Sequence, residues 1–338
     1  MIRQVQLNCS IAKVIVKQGG YSILMKKSLI SPYLGLLLGI GAVSTASLFI
    51  RLAQGEAPSF VIAAGRLLVA ALVLFPFAIR NLSKEVKTQT RKNLILLLLA
   101  GIFLGLHFAS WITSLEYTTV ASSVVIVTTA PLWVAVLSPF FLKEKINRWI
   151  VIGLLVSLTG SVVVGINGVC HFSTGHFNCE PILQLKNDRN FIGNSLALAG
   201  AFLSAGYLMI GRRVRDQLSL TSYTFVVYST AALVLILLVI VNRQVIIGYS
   251  PKIYLFILAL AIIPQLVGHS SFNWALKYLS AALVSIALLG EPIGTIILTF
   301  LFLNETPTLL EIVGGVLILT GIFIASRSQK SIQISPET

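Results

Sequence analysis

Residues 115–145 read LEYTTVASSVVIVTTAPLWVAVLSPFFLKEK, and residues 276–306 read LKYLSAALVSIALLGEPIGTIILTFLFLNET. The two stretches align without a gap when the chain is shifted by 161 positions, and the alignment continues beyond them. The identical pairs include Tyr117 with Tyr278, Pro131 with Pro292, Glu144 with Glu305, Gly153 with Gly314 and Gly160 with Gly321. Self-similarity at one fixed distance is typical of an internal repeat. The sequence therefore predicts a chain built from two related halves.

The composition indicates that these halves lie in a membrane. Of the 338 residues, 56% are hydrophobic and 11% are charged, whereas a soluble domain carries about 25% charged residues. The net charge of +14 would suggest a nucleic-acid partner only if the basic residues formed a patch on a polar domain. They stand instead at the ends of apolar segments, so we expect a lipid-embedded protein and no nucleic-acid partner.

A spanning helix needs about 20 apolar residues, and the chain contains ten such segments. They lie at about 33–51, 58–79, 94–115, 121–142, 149–167, 191–211, 222–242, 253–275, 281–303 and 309–326. Transmembrane β-strands are about ten residues long and alternate in polarity, whereas these segments are continuous and longer. We therefore predict an all-α integral membrane protein with ten transmembrane helices.

The distribution of Lys and Arg predicts the orientation. With the N-terminus in the cytoplasm, 19 of the 25 Lys and Arg residues fall on the cytoplasmic side and five fall outside, while Arg66 lies within a helix. This bias is the positive-inside pattern of membrane proteins. Because each half has an odd number of helices, the second half enters the membrane upside down. Both termini are then cytoplasmic, and the expected location is the inner (plasma) membrane of a bacterial cell.

The predicted organisation has five parts. They are a cytoplasmic tail at 1–32, a five-helix half at 33–167, an external linker at 168–190, a second five-helix half at 191–326 and a cytoplasmic tail at 327–338. The N-terminal tail has basic residues but no sustained apolar run, so we expect no signal peptide there. Inverted repeats are an architecture of secondary transporters, which bind their substrate near the membrane midplane.

The paired segments APLWVAVLSPFFLKE and EPIGTIILTFLFLNE resemble the EamA-type modules of the drug/metabolite transporter superfamily, in which a proline precedes an apolar helix that ends in glutamate. The stretch GRLLVAALVLFPF at 65–77, in the second predicted helix, also resembles the corresponding part of these modules. The likeness covers about residues 30–326. It implies ten helices in two inverted five-helix halves and a central cavity lined by the third and eighth helices and their neighbours. It also implies export or import of a small metabolite, such as an amino acid or a drug-like compound.

Glu291 is the candidate for contact with a substrate or a coupling ion. It lies about ten residues, or roughly 15 Å, into its predicted span, where a charge is costly and usually faces a cavity or a counter-ion. Three interpretations stay open: a structural ion pair or neutral acid, a site for a substrate amine or other cation, and a proton-coupling group. Arg66 is the candidate partner, and it could instead snorkel or bind a substrate carboxylate.

Two clusters of polar and aromatic residues lie at similar predicted depth. The clusters are His107 with Trp111, and His269 with Ser270, Asn273 and Trp274. Such combinations suit a pocket that orients a small polar molecule, and the alternative is hydrogen bonding between helices. Weaker candidates for the same lining are Ser44, Ser47, Ser204 and Tyr207.

Other residues are expected to be structural. Glu144 and Glu305 fall at the ends of the helices that begin near Pro131 and Pro292, and Glu144 is expected to pair with a neighbouring lysine, Lys143 or Lys145, or with a helix N-terminus. Small residues four apart allow close helix approach. Such pairs are Gly35 with Gly39, Gly101 with Gly105, and Gly290 with Gly294.

The linker contains Cys170, His171, His176 and Cys179. Their spacing matches no standard zinc finger, so no metal is expected. A disulfide between Cys170 and Cys179 is allowed in an oxidising compartment, and free thiols are the alternative.

The leading hypothesis is a secondary transporter that exports a small molecule by alternating access. Protons are one candidate coupling ion, and the sequence leaves a homodimer open. No GxxxxGK[ST] stretch is present, so we expect no fused ATPase and no cofactor. A membrane enzyme would need a compact catalytic constellation, and we find none. An importer of the same fold, a channel and a metabolite sensor are the alternatives.

Overall fold

The computed structural model of the protein describes residues 31–118, 123, 126–167, 170–173, 176–179, 188–303 and 308–327. Most of the predicted tails and Glu305 therefore lie outside the described residues. The helices are α1 (Pro32–Val43), α2 (Ala46–Ala53), α3 (Ser59–Lys87), α4 (Arg91–Tyr117), α5 (Ala130–Phe141), α6 (Arg148–Asn167), α7 (Asp188–Val214), α8 (Leu220–Val241), α9 (Pro251–Leu260), α10 (Ser270–Ala275), α11 (Ala281–Ala287), α12 (Glu291–Leu303) and α13 (Leu309–Ser326). A π-helical segment, Ala261–His269, joins α9 to α10.

The helices are those of a membrane protein. In the described part of the chain, seven helical segments are long and apolar enough to cross a membrane, and three shorter apolar helices accompany them. The seven are Pro32–Ala53, Ser59–Lys87, Arg91–Tyr117, Phe191–Gln217, Leu220–Val241, Pro251–Ala275 and Ala281–Leu298. Large apolar side chains such as Phe77 and Leu237 are more than half exposed, as expected where lipid surrounds the bundle. The predicted helical, multi-pass membrane class is confirmed.

The first predicted span is broken rather than continuous. It divides into α1 and α2 at Ser44 and Thr45, whose hydroxyl groups donate to the carbonyl oxygens of Ile40 and Ala42 at 2.7 and 2.8 Å. Side chains that bond to their own backbone compete with the helical hydrogen-bond ladder in this way.

The span predicted at 281–303 is also broken, by a 3-10 turn immediately before Glu291. Pro292 has no N–H group with which to continue the preceding helix. The two breaks meet, since the Ser44 hydroxyl donates to the backbone carbonyl of Glu291 at 2.9 Å. Gly294 permits this approach, because a Cβ there would collide with Ser44.

Helices α6 and α13 pack backbone against backbone. A Cβ on Gly153 would lie 2.5 Å from the carbonyl oxygen of Gly321, and a Cβ on Gly160 would lie 2.6 Å from that of Gly314. Gly153 and Gly314 are 161 positions apart, as are Gly160 and Gly321. Gly153 therefore contacts the repeat counterpart of Gly160, and Gly160 contacts the repeat counterpart of Gly153.

A short hairpin, which the sequence did not predict, follows α6. Its antiparallel strands are β1 (Cys170–Ser173) and β2 (His176–Cys179), and their register places Cys170 opposite Cys179. The disulfide between these two cysteines stays a prediction.

Gly153→Ala is expected to destabilise the protein, because the added methyl group would meet the Gly321 carbonyl oxygen. Overpacking of this kind costs about 1–3 kcal/mol. Gly41→Ala is the matched control, since a Cβ at Gly41 meets no atom within 4 Å and alanine is the better helix former by about 1 kcal/mol. Thermal unfolding in detergent micelles measures both variants. Equal melting temperatures would contradict the close contact between α6 and α13.

Candidate functional site

A cavity of about 70 Å³ lies inside the bundle, large enough for several water molecules. We call it the central cavity. Its polar lining comprises Arg66, His107, Trp111, Thr128, Ser204, His269, Ser285 and Glu291. Five of the seven residues that the sequence suggested for substrate or coupling therefore lie around one space, although they come from distant parts of the chain.

Arg66, the eighth residue of α3, is completely buried. Its Nε donates to Oε1 of Gln265 at 2.8 Å, and its guanidinium carbon lies 4.2 Å from the centre of the Phe108 ring. Nη1 and Nη2 have no hydrogen-bond partner among the described residues. Because buried polar groups are normally hydrogen-bonded, these two nitrogens have the capacity to bind a ligand in the cavity.

Glu291 reaches the same cavity from the first residue of α12. A helix N-terminus favours a carboxylate through its partial positive charge. Among the described residues no direct ion pair joins Glu291 to Arg66 within 4.0 Å, although the two groups lie close enough to interact electrostatically. The cavity therefore carries one cationic and one anionic side chain without a direct contact between them.

His107 and Trp111, which both line the cavity, stack on each other. Their rings are nearly parallel, with an interplanar angle of 8° and centroids 6.0 Å apart. Nδ1 of His107 lies 2.9 Å from the carbonyl oxygen of Gly200. Because a carbonyl oxygen can only accept a hydrogen bond, Nδ1 carries the proton and donates the hydrogen bond. In the neutral ring Nε2 is then a hydrogen-bond acceptor. Nε1 of Trp111 is a buried donor without a partner among the described residues.

The π-helical segment brings His269 and Gln265 to this region. His269 packs edge-on against Phe108 with centroids 5.2 Å apart, and Gln265 is fully buried where it holds Arg66. Gln265 is not among the residues predicted from the sequence, although a lone amide after Pro264 in an apolar span was an available signal. Short π-helical stretches are rare and occur frequently at functional sites.

Asn273 and Trp274 do not line the cavity, contrary to the sequence-based expectation. Asn273 is fully buried and accepts a hydrogen bond from the Tyr207 hydroxyl at 2.7 Å, while Trp274 packs against Gly35 of α1. Adjacent helical residues point about 100° apart, and α10 is packed between α1, α7 and α8. Both side chains are therefore used in contacts between helices.

Of the four weaker candidates for the cavity lining, the structure places only one in the lining. Ser204 lines the cavity, together with Pro131 at the start of α5. Ser44 and Tyr207 instead hydrogen-bond at helix contacts, and Ser47 is half-buried outside the lining.

Glu144 pairs with Arg212 rather than with the lysines beside it. Its Oε1 lies 2.9 Å from Nε of Arg212, and Nη1 of Arg212 also donates to the carbonyl oxygen of Leu276 at 3.0 Å. The glutamate is therefore joined to α7 and not to its own loop, because α7 ends beside that loop.

Comparison with known proteins agrees with a transporter. The model of the EamA-like transporter family matches the chain twice, at residues 30–166 and 191–327, and the two matches begin 161 positions apart. An uncharacterized transporter of Clostridium kluyveri is 26% identical over 270 residues, which cover 78% of this chain and 82% of the relative. The uncharacterized transporter YdfC of Bacillus subtilis is 24% identical over 262 residues, covering 76% and 78%.

A solved structure shares the fold. A protein crystal structure that is 20% identical superposes with a TM-score of 0.66, covering 90% of this chain and 100% of the other. The family model accounts for most of the 338 residues, and the relatives are named as transporters. The chain belongs to the EamA-like transporter family.

Proposed function

We propose that the protein is a secondary transporter that exports a small polar metabolite, such as an amino acid, by alternating access. The observation that carries this proposal is the central cavity, where the two unpartnered nitrogens of Arg66 and the carboxylate of Glu291 face one space. A buried guanidinium group whose donors lack hydrogen-bond partners is costly, and Nη1 and Nη2 of Arg66 are such donors among the described residues. The substrate is the partner that offsets this cost.

A zwitterion would engage both charges. Its carboxylate would accept from Nη1 and Nη2 of Arg66, since a guanidinium group binds two carboxylate oxygens at once. Its ammonium group would pair with Glu291. The stacked rings of His107 and Trp111 would pack against the rest of the molecule, as aromatic side chains do in ligand pockets.

The architecture in this proposal is ten helices in two inverted five-helix halves. The two family matches begin at the same 161-position spacing as the internal repeat, and the reciprocal glycine contact of α6 with α13 fits a two-fold axis between the halves. The cavity takes Arg66 and His107 from the first match and His269 and Glu291 from the second. A site shared by two inverted halves is the arrangement that alternating access uses.

The orientation in this proposal follows the positive-inside bias, with both termini in the cytoplasm and the chain in the inner membrane. Export is the direction that we infer from the family. Glu291 would couple transport to protons by binding either a proton or the substrate amine, because the two cannot share one carboxylate at the same time.

Cells that overproduce the protein are expected to enrich one metabolite in the medium relative to cells with an empty vector. Arg66→Gln and Glu291→Gln, matched for expression, are expected to lower this export by about tenfold or more, since a hydrogen bond to a charged group contributes about 1.5–3 kcal/mol. Mass spectrometry of medium and cell extracts is the measurement.

Glu56→Gln is the control for this experiment. Glu56 is exposed and accepts from the backbone N–H of Ser250 through Oε2 and from the Ser250 hydroxyl through Oε1. A glutamine can accept from the N–H through its amide oxygen and donate to the hydroxyl oxygen through its amide nitrogen. Equal export by the unmodified protein and Glu291→Gln would remove Glu291 from the site. Enrichment inside the cells would identify an importer, and no movement of any compound would favour a sensor.

In liposomes, a pH gradient is expected to drive accumulation of the identified metabolite against its own gradient. Glu291→Gln is expected to keep exchange of labelled for unlabelled metabolite at high concentration but to lose the pH-driven accumulation, because an amide binds no proton. Accumulation by Glu291→Gln at the unmodified level would contradict the coupling role. Flux without saturation or counterflow would indicate a channel.

A further inference from the structure

Gln265 fixes the orientation of the Arg66 guanidinium group. Its Oε1 accepts from Nε of Arg66 at 2.8 Å, and the Phe108 ring lies against the group, with 4.2 Å between the guanidinium carbon and the ring centre. A guanidinium group is a planar fork of five N–H donors. With Nε and one face engaged, the edge formed by Nη1 and Nη2 is left, and neither nitrogen has a partner among the described residues. The contact with Gln265 therefore decides which edge of the group a ligand can meet.

The position of Gln265 is itself fixed by neighbouring helices. It lies in the π-helical segment Ala261–His269, and its backbone carbonyl oxygen accepts from the hydroxyl of Tyr228 on α8 at 3.3 Å. That hydroxyl is also 3.1 Å from the hydroxyl of Ser270, the first residue of α10. Gln265 and Tyr228 are both fully buried. The amide of Gln265 is therefore held in place, and it holds Arg66 in turn.

The amide of Gln265 is neutral, a feature that folding alone does not explain. Its Nε2 is a buried donor without a partner among the described residues, and leaving such a donor unpaired costs free energy. A glutamate at this position could accept the same hydrogen bond from Nε of Arg66 and would have no N–H group to leave unpaired. It would also neutralise the arginine. The amide therefore orients the cation and leaves its charge available.

Glu291 balances this charge only from a distance. It interacts electrostatically with Arg66, but no direct ion pair joins the two among the described residues. An anion that reaches Nη1 and Nη2 is therefore favoured. A carboxylate presents two oxygens in one plane, which match two parallel N–H donors, whereas chloride is a single spherical acceptor. A correctly oriented guanidinium edge thus favours carboxylates by geometry as well as by charge.

We propose that Gln265 is a positioning residue that makes the central cavity select carboxylates. It does so by holding Nε of Arg66, so that Nη1 and Nη2 together face the ligand. The described residues that line the cavity do not include Gln265, so it acts through Arg66 and not on the ligand itself. This role rests on the proposed function, in which Arg66 binds the carboxylate of the substrate.

Acetate is the probe, because it carries a carboxylate on a single methyl group and is small enough for a cavity of about 70 Å³. Thermal unfolding of the full chain in detergent is followed at constant ionic strength while acetate replaces chloride. A ligand that binds only the folded state raises the melting temperature, so the acetate concentration that gives a set rise compares the affinities of variants. Anions also change stability without occupying a site, and Arg66→Gln measures this general part, which is subtracted.

Gln265→Met is expected to need about fivefold more acetate for the same rise, the equivalent of one ordinary hydrogen bond. The variant keeps the charge of Arg66 but no longer directs the Nη1 and Nη2 edge. A merely structural role would lower the melting temperature equally in both salts and leave their difference unchanged. Gln265→Glu is expected to show no acetate response beyond that of Arg66→Gln, because its carboxylate neutralises the guanidinium group. Acetamide, which has the shape of acetate without the charge, is expected to give no rise in any variant.

Gln54→Met is the matched control. Gln54 is a half-buried amide that donates to the Ser59 hydroxyl and to the carbonyl oxygen of Ile112, each at 2.9 Å, and it is not among the residues that line the cavity. The variant is expected to lower the melting temperature in both salts and to leave the acetate response at the unmodified level.

Two outcomes would overturn the proposal at different steps. If acetate responses at Gln265→Met or Gln265→Glu equal that of the unmodified protein while Arg66→Gln loses it, Gln265 has no positioning role, and the carboxylate site of the proposed function stands. If Arg66→Gln and the unmodified protein respond equally, the cavity has no carboxylate site at Arg66, and both the proposed function and the positioning role fail.

Discussion

The burial of Arg66 is the constraint on which the rest of the site depends. A guanidinium group in an apolar bundle has to be held by groups whose own positions are fixed. Gln265 from the π-helical segment and Phe108 from α4 hold two sides of it. One side chain therefore sets the relative positions of three helical segments. Because its other two nitrogens open into the cavity, the same burial also makes the centre of the bundle polar.

The helices could largely be predicted from the sequence, because long apolar runs are a local property of the chain. The span predicted at 309–326 matches Leu309–Ser326 in the structure. Helix α3 is longer than predicted, since it continues to Lys87 through charged residues that an apolar criterion excludes. The break at Ser44 was not predicted, because a serine can either continue a helix or interrupt it by binding the backbone.

The site could be predicted only in part. A charged residue such as Glu291 inside an apolar span is stable only where it faces a cavity or a counter-ion. The depth and polarity of the residues in the sequence therefore already indicated several that share the cavity. Which way a side chain points depends on rotation about the helix axis. The π-helical turn before α10 changes that rotation. The sequence for this reason could not decide whether Asn273 and Trp274 line a pocket or join helices, and Gln265 was not among its candidates.

The contact between α6 and α13 has a consequence for how this kind of protein can diverge. The packing of α6 against α13 depends on close contacts of backbone atoms at glycines. The cavity, by contrast, is lined by individual side chains from several segments. The side chains that line the cavity can therefore be substituted one at a time without changing the packing of α6 against α13 at these glycines. A substitution in the lining leaves this backbone contact in place, whereas a side chain added at Gly153 or Gly160 would disturb it.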